Sequence, residues 1–306
     1  MTLKHIAITG AAGNIGRRLV KELEDKYELV LLDTRSGPHN ESVRHVDVSD
    51  AKSFYDAVCS CDAIVHLAAT GVDAPPDVTC KVNVTGTWNA LAIAQALNIR
   101  KVITMSSEAG LGMEYMDIDP PPLYVPIDER HPFRPSDAYG VSKQIVEALG
   151  RQFARQGPGL SVVCLRPTEV MFPHVAKHVS ELLSREVTEG TRALTRTFQN
   201  PEGLAISRAY VRADDMVRMI RLALEVETEP FEVFWASADD CYGDRGTLDN
   251  LSVLFGHLPE VRRPVLYRAN ATAAVFDTSL ARARLGWEPT RGGWQAALTD
   301  LATGHD

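Results

Sequence analysis

Tyr139 and Lys143 stand four residues apart in the stretch DAYGVSKQIVEAL. On a helix that spacing puts both side chains on one face. A free phenol, with a pKa of about 10, is a poor base at neutral pH. A close ammonium together with a positively charged hydride acceptor stabilises the phenolate, and a drop of about 3 pH units takes roughly 4 kcal/mol of differential interaction. Such a phenolate can take the proton of a carbinol while hydride leaves the same carbon for an acceptor. Ser107, closing the run VITMSS, supplies a hydroxyl that could hold the substrate oxygen.

The acceptor is suggested by ITGAAGNIGRRL, Ile8 to Leu19. Gly10 permits a tight turn, Gly13 lets a pyrophosphate approach the backbone, and Gly16 lets a helix pack close to a strand. Asn14 and Ile15 lie in the same loop and open the helix, whose N-terminal N–H groups and partial positive charge favour phosphate. Asp33 ends the next apolar run, 17 residues past the last glycine, near the roughly 20 expected of a ribose-binding acid. A carboxylate there accepts ribose hydroxyls and repels a 2′-phosphate, so the expected cofactor is NAD. Arg35, two residues on, is the one residue that argues for NADP.

These groups need a scaffold. Apolar runs at residues 4–9, 28–33, 43–48, 63–69, 101–107 and 160–167 read as strands. Helical spacing covers 14–26, 51–58, 83–97 and 138–156. Strand and helix alternate with short links, which predicts α/β, a Rossmann-type doubly wound parallel sheet with a smaller C-terminal substrate-binding region. Residues 1–167 are expected to form the NAD-binding domain and 168–306 the substrate-binding region, with parts of about 207–237 returning to the core. Residues 108–137 read as a long irregular segment, functional or mobile. Beyond 167 the expected elements are helices near 214–224, 248–255 and 277–286 and a strand at 231–237.

Composition sets limits. The chain has 306 residues, 45% hydrophobic and 24% charged, with a formal net charge of -8. That is an ordinary globule, and its acidity argues against nucleic acid or anionic membrane as partners. The expected partner is a small-molecule substrate. The five cysteines form no CxxC and read as idle thiols in a reducing cytosol. MTLKHIAITG reaches strand and turn by its tenth residue, so a cytoplasmic protein is expected.

The motifs together resemble the extended short-chain dehydrogenases/reductases, the NAD-dependent epimerase/dehydratase group. TGAAGNIG, HVDVSD, HLAA, NVTGTWNAL, MSS, YGVSK, LRP and LGWEP carry the likeness. The resemblance implies adenine contacts from Asp47 and Val48, a cofactor cleft lined by Leu67, Ala68 and Ala69, and Asn83 in a structural role beside it. It adds Pro167 on the cofactor side, and Ser107, Tyr139 and Lys143 as the catalytic set, the last two also touching cofactor. Thr70, Gly71, Ser107, Glu108 and Glu169 are the expected substrate-side residues. Relatives pair through two long helices, here 83–97 and 138–156, so a homodimer is expected.

Substrate is less sharply marked. Nucleotide-sugar enzymes of the group usually carry Asn where RPTEV offers Glu169, and a carboxylate beside a pyrophosphate is repulsive. MFPH, YVRADDMVRMI and FEVFWASADD resemble uronate dehydrogenases, yet their Ser-Ser-Asn-His is SSEA here. Glu108 would repel a sugar carboxylate, so a neutral polyol, sugar or hydroxy acid is expected, although Arg134, Arg208 and Arg212 could hold an acid. The resulting reading is an NAD-dependent oxidoreductase of a small sugar, sugar acid or related hydroxylated substrate. The alternatives are a nucleotide-sugar epimerase/dehydratase with retained NAD and a non-catalytic NAD-sensing protein. His174 and His178 are spaced as zinc ligands can be but lack HExxH company, so no metal is expected. Asp214 and Asp215 read as helix-opening acids, and Trp235, Trp287 and Trp294 as core.

Overall fold

The computed structural model describes residues 3–35, 42–157 and 159–302. The expected spans 1–167 and 168–306 thus run past the described residues at both chain ends. The first half alternates strand and helix: β1 (His5–Thr9), α1 (Asn14–Leu23), β2 (Glu28–Asp33), β3 (Arg44–His45), α2 (Ala51–Val58), β4 (Ala63–His66) and α3 (Pro76–Thr79). A π-helical turn over Cys80–Thr85 leads into α4 (Gly86–Ala96), followed by β5 (Lys101–Met105) and a 3-10 turn at Glu108–Leu111. Then come β6 (Tyr124–Val125), α5 (Ala138–Gln156), β7 (Ser161–Pro167) and β8 (Glu169–Met171). The rest is α6 (Pro173–Glu189), α7 (Thr191–Leu194), β9 (Tyr210–Arg212), α8 (Ala213–Glu225), β10 (Phe231–Ala236), α9 (Thr247–Phe255), β11 (Glu260–Val261), α10 (Pro264–Ala269), α11 (Ser279–Leu285) and α12 (Gly293–Ala302).

The main sheet is parallel, in the order β3-β2-β1-β4-β5-β7-β10 among the described residues. Both faces are covered, so the strands are apolar throughout rather than alternating. Period-2 geometry still sorts them. Ile6 and Ile8 of β1, Val65 of β4 and Ile103 of β5 join the core containing Leu19 and Leu23 of α1 and Met216 and Ile220 of α8. Ala7, Ile64 and Val102 face the other core, with Phe54 of α2, Leu91 of α4 and Phe153 of α5. The chain turns one way from β1 to β2 and the other way to β4, so a crevice opens between the carboxyl ends of β1 and β4, at Thr9 and His66. Open α/β sheets bind ligands at this switch point.

Several expected boundaries move. The strand expected at 43–48 pairs with β2 only at Arg44 and His45. After that, Asp47 turns back on Ser49, accepting its hydroxyl at 2.7 Å, and the chain leaves the sheet for the crevice. The strand expected at 63–69 stops at His66, because Leu67 and Ala68 bend over Thr9, donating to its carbonyl and hydroxyl at 3.2 and 3.1 Å. Residues 108–137 are packed rather than loose: β6 pairs with β11, and Val125 and Ile127 are fully buried with Trp235 and Phe276. Residues 173–189, with no element expected, form α6. In the stretch around 207–237, α8 packs on α1 and β10 pairs with β7, on the main sheet. Trp287 and Ala281 near the C-terminus join the same core. No helix among the described residues is long and apolar enough to cross a membrane.

Candidate active site

A cavity of about 740 Å³ runs along the crevice. At one end lies the glycine loop. Gly13 caps α1 without a side-chain hydrogen bond, and the first turn carries no acid. The helix's first N–H groups are thus left for an anion. Gly10 has φ of +69°, and a Cβ there would lie 2.8 Å from the Ala68 nitrogen. A Cβ on Gly16 would meet the Gly10 carbonyl oxygen at 2.3 Å. The cradle exists only because side chains are missing, which is what close approach of a pyrophosphate requires.

Asp33 ends β2 with its side chain buried. Its Oδ2 accepts the Ala12 N–H at 3.0 Å, and its Oδ1 accepts the Arg35 N–H at 2.8 Å. The Arg35 guanidinium folds onto the same carboxylate, Nε to Oδ1 at 3.3 Å. The one residue that argued for a 2′-phosphate is therefore engaged by the acid that argues against it. Asp47, Val48, Leu67, Ala68, Ala69 and Pro167 all line the cavity, as do Asn14 and Ile15. These residues fit an adenine dinucleotide: acid at the ribose, bare backbone at the phosphates and an apolar strand-end wall.

Asn83, grouped with the cofactor side in a structural role, does not line the cavity itself: it is 1% exposed and stands behind the wall. Its amide accepts the Thr70 N–H at 2.8 Å and donates to the Ser142 hydroxyl at 3.0 Å. The π-helical turn widens the helix at this residue, a feature often found at functional sites. Asn83 ties the wall segment at Thr70 to α5.

Ser107, Tyr139 and Lys143 meet midway along the cavity. Asp137 caps α5, accepting the Gly140 N–H at 2.8 Å. A Cβ on Gly140 would lie 2.6 Å from the Ala109 carbonyl oxygen. The bare glycine lets the start of α5 press against the serine segment. One helical turn on, Lys143 is buried, its Nζ 5.1 Å from the centre of the Tyr139 ring and donating to the Met105 carbonyl at 2.9 Å. A further turn on, Glu147 forks onto Arg166 of β7 at 2.7 and 2.8 Å and accepts the Ser106 hydroxyl at 2.6 Å. Tyr139, Lys143 and Glu147 thus form one helix face, with Glu147 as its anchor.

The chain's own groups do not by themselves favour a phenolate. Burial dominates both groups: it pushes the Tyr139 phenol up to about 12, with a Ser107 hydrogen bond pulling the other way. It also pushes the Lys143 ammonium down to about 8. The chain therefore holds a protonated phenol beside a weakly held proton on lysine, rather than a ready phenolate.

Thr70, Gly71, Glu108 and Glu169, the residues placed on the substrate side, also line the cavity. Glu114, Arg196, Thr168 and Phe172 line it too; Thr168 and Phe172 fall in the quoted RPTEV and MFPH stretches, whereas Glu114 and Arg196 have no signature in the sequence. Glu114 sits in an aperiodic segment, and Arg196 arrives from between α7 and β9. The two histidines spaced like zinc ligands part company. His178 Nε2 lies 3.1 Å from the Glu202 carbonyl, and His174 stacks on Phe172. Asp214 and Asp215 fall in the first turn of α8. Asp215 holds the C-terminal segment instead of capping, accepting the Thr290 N–H and hydroxyl at 2.9 and 2.6 Å.

The chain is similar to several known proteins. L-arabinose 1-dehydrogenase (NAD(P)(+)) of Haloferax volcanii is 34% identical over 170 residues, 54% of this chain and 66% of the relative. Uronate dehydrogenase of Agrobacterium fabrum is 32% identical over 160 residues, 49% of this chain and 56% of the relative. The aligned part thus spans between about half and two thirds of these two relatives' length. UDP-glucose 4-epimerase of Lactobacillus helveticus is 24% identical, over 93% of this chain and 92% of that protein. Among solved structures, a short-chain dehydrogenase/reductase superfamily protein from Agrobacterium tumefaciens with bound NAD superposes with a TM-score of 0.71. It is 23% identical and the match covers 98% of this chain and 96% of that one. Residues 6–234 match the profile of the NAD dependent epimerase/dehydratase family. With the glycine cradle, the ribose acid and the Ser107-Tyr139-Lys143 cluster lying inside that span, the chain belongs to the NAD-dependent epimerase/dehydratase family.

Proposed function

We propose that the chain is an NAD-dependent oxidoreductase acting on a carbinol or carbonyl carbon of a small sugar, sugar acid or related hydroxylated compound. The observation that carries this is one cavity that joins a bare-backbone phosphate cradle to Ser107, Tyr139 and Lys143. When bound, the dinucleotide accepts or returns a hydride. The chain's own residues do the rest. Ser107 holds the substrate oxygen, Tyr139 takes its proton during oxidation or gives one during reduction, and Lys143 biases that exchange by its charge. Residues 1–167 supply the dinucleotide half and 168–306 part of the substrate wall, with α8 and β10 belonging to the first. The same reading includes a cytoplasmic homodimer formed through α4 and α5, where Trp88 and Val141 are exposed.

The test is turnover. With NAD and a panel of sugars, sugar acids and UDP-sugars, net NADH should accumulate with at least one small substrate. Tyr139→Phe should lower kcat/KM by about 10²–10⁴-fold while calorimetric NAD affinity stays within a few-fold. Retained cofactor and epimerised product without NADH would favour the epimerase alternative. An unchanged rate in Tyr139→Phe would remove the assignment.

A further inference from the structure

Beyond Tyr139 the cavity ends in an unusual wall. Glu108, Glu114 and Glu169 converge there with Arg196. Arg196 Nη1 donates to Glu114 Oε2 at 2.6 Å, and Nη2 stands 3.8 Å from Glu169 Oε1. Glu108 is 9% exposed, and its Oε2 accepts the Ser207 hydroxyl at 2.8 Å. The wall's guanidinium is thus already engaged by a carboxylate. The arginines that the sequence offered to an acid lie elsewhere. Arg134 donates to the Pro121 carbonyl at 2.8 Å, Arg208 pairs with Glu186 at 2.5 Å, and Arg212 is not on the cavity wall. Lys143 is held by Met105.

We infer that the cavity admits an uncharged polyhydroxylated sugar and rejects the same sugar carrying a carboxylate, with Glu108, Glu114 and Glu169 as the residues that discriminate. This rests on the oxidoreductase reading above and narrows its substrate class. Carboxyl oxygens accept from adjacent hydroxyls, and a carboxyl that stays protonated also donates. Burial raises both Glu108 and Glu169 above the ordinary carboxylate range, which suits hydroxyl partners in both directions. A sugar carboxylate in the same place meets the burial that keeps those two groups from ionising, the charge of Glu114 that adds to it, and a guanidinium already engaged by Glu114. An anion brought into a partly dry cavity whose guanidinium is already engaged is disfavoured.

The experiment pairs each neutral aldose with its uronic acid of identical stereochemistry, glucose with glucuronate and galactose with galacturonate, and adds L-arabinose. Initial NADH formation gives kcat/KM. Saturation-transfer NMR on the protein–NADH complex gives binding without turnover. Expected is a preference for aldose over uronate of about 100-fold or more. In Glu114→Gln, which releases the Arg196 guanidinium to meet an anion, that ratio should shrink at least about tenfold, and circular dichroism should confirm its fold. If neither class is turned over, binding of aldose but not uronate to the complex supports the inference. Binding of uronate, or of neither, overturns it. Comparable or better turnover of uronates by the unmodified protein overturns it as well. In that case sensitivity of the uronate reaction to Tyr139→Phe leaves the oxidoreductase reading standing, whereas insensitivity brings both down.

Discussion

Tyr139 and Lys143 were legible as a pair because a four-residue interval has one meaning on a helix, a shared face. What the interval could not reveal was the balance of forces on that face. Burial, reinforced by the nearby acids Glu114, Asp137 and Glu108, takes the phenol up to about 12, and burial takes the lysine down to about 8. The sign of the pH dependence follows. Below its pKa the phenolate fraction grows about tenfold per pH unit, so substrate oxidation should speed up from pH 6 towards 8. Above about 8 the Lys143 ammonium is lost, and with it the charge that favours phenolate, so the rise should flatten. Reduction, which uses the neutral phenol, should be nearly level over the same range. Initial rates in both directions from pH 6 to 9.5 check this, and Lys143→Met should remove the bend near 8. Glu108 and Glu169 were also visible in the sequence, as departures from an expected motif. Glu114 and Arg196 were not, since only the folded chain brings residues 82 positions apart to 2.6 Å.

At the level of elements, the first half was readable because each strand is a short apolar run followed by a helical period, the pattern a parallel sheet imposes. The reading failed where elements serve the crevice instead of the sheet. β3 ends early and β4 stops at His66, so that the residues after them can turn into the cavity. α6 was missed although Ala176, Val179 and Leu182 fall at helical spacing. They pack with Met171 and Tyr210 in a separate cluster, so no alternating strand frames them. The join between elements most exposed to mutation is Glu147. It links α5 to β5 through Ser106 and to β7 through Arg166, whose guanidinium lies 4.3 and 5.0 Å from the Phe133 and Trp235 rings. Glu147→Ala strands that cation in the core, and should cost about 3–5 kcal/mol. At about 2–4 °C per kcal/mol this lowers Tm by roughly 6–20 °C. Glu147→Gln, which keeps a hydrogen-bonding group beside Arg166, should lose less. Differential scanning calorimetry of both variants decides it.

Across the whole molecule, the two halves are not beads on a string. The chain leaves the main sheet after β7, builds part of the substrate wall, returns as α8 and β10, and returns again near α11. Asp215 secures the last return. Its carboxylate takes Thr290 and Arg218, the latter at 2.8 Å, and its carbonyl accepts the Trp287 indole N–H at 2.9 Å. Asp215→Ala should destabilise the protein by about 1–3 kcal/mol through the orphaned donors, seen as a lower urea midpoint with an unchanged slope if the chain unfolds as one unit. A biphasic curve would mean instead that the C-terminal segment detaches on its own.

α8 rests on α1, and α1 begins at the glycine loop. The far tail of the chain is thereby a buttress for the pyrophosphate cradle, two helices removed from it. Damage around residue 290 should register first as weakened dinucleotide retention, before any substrate-facing side chain has moved.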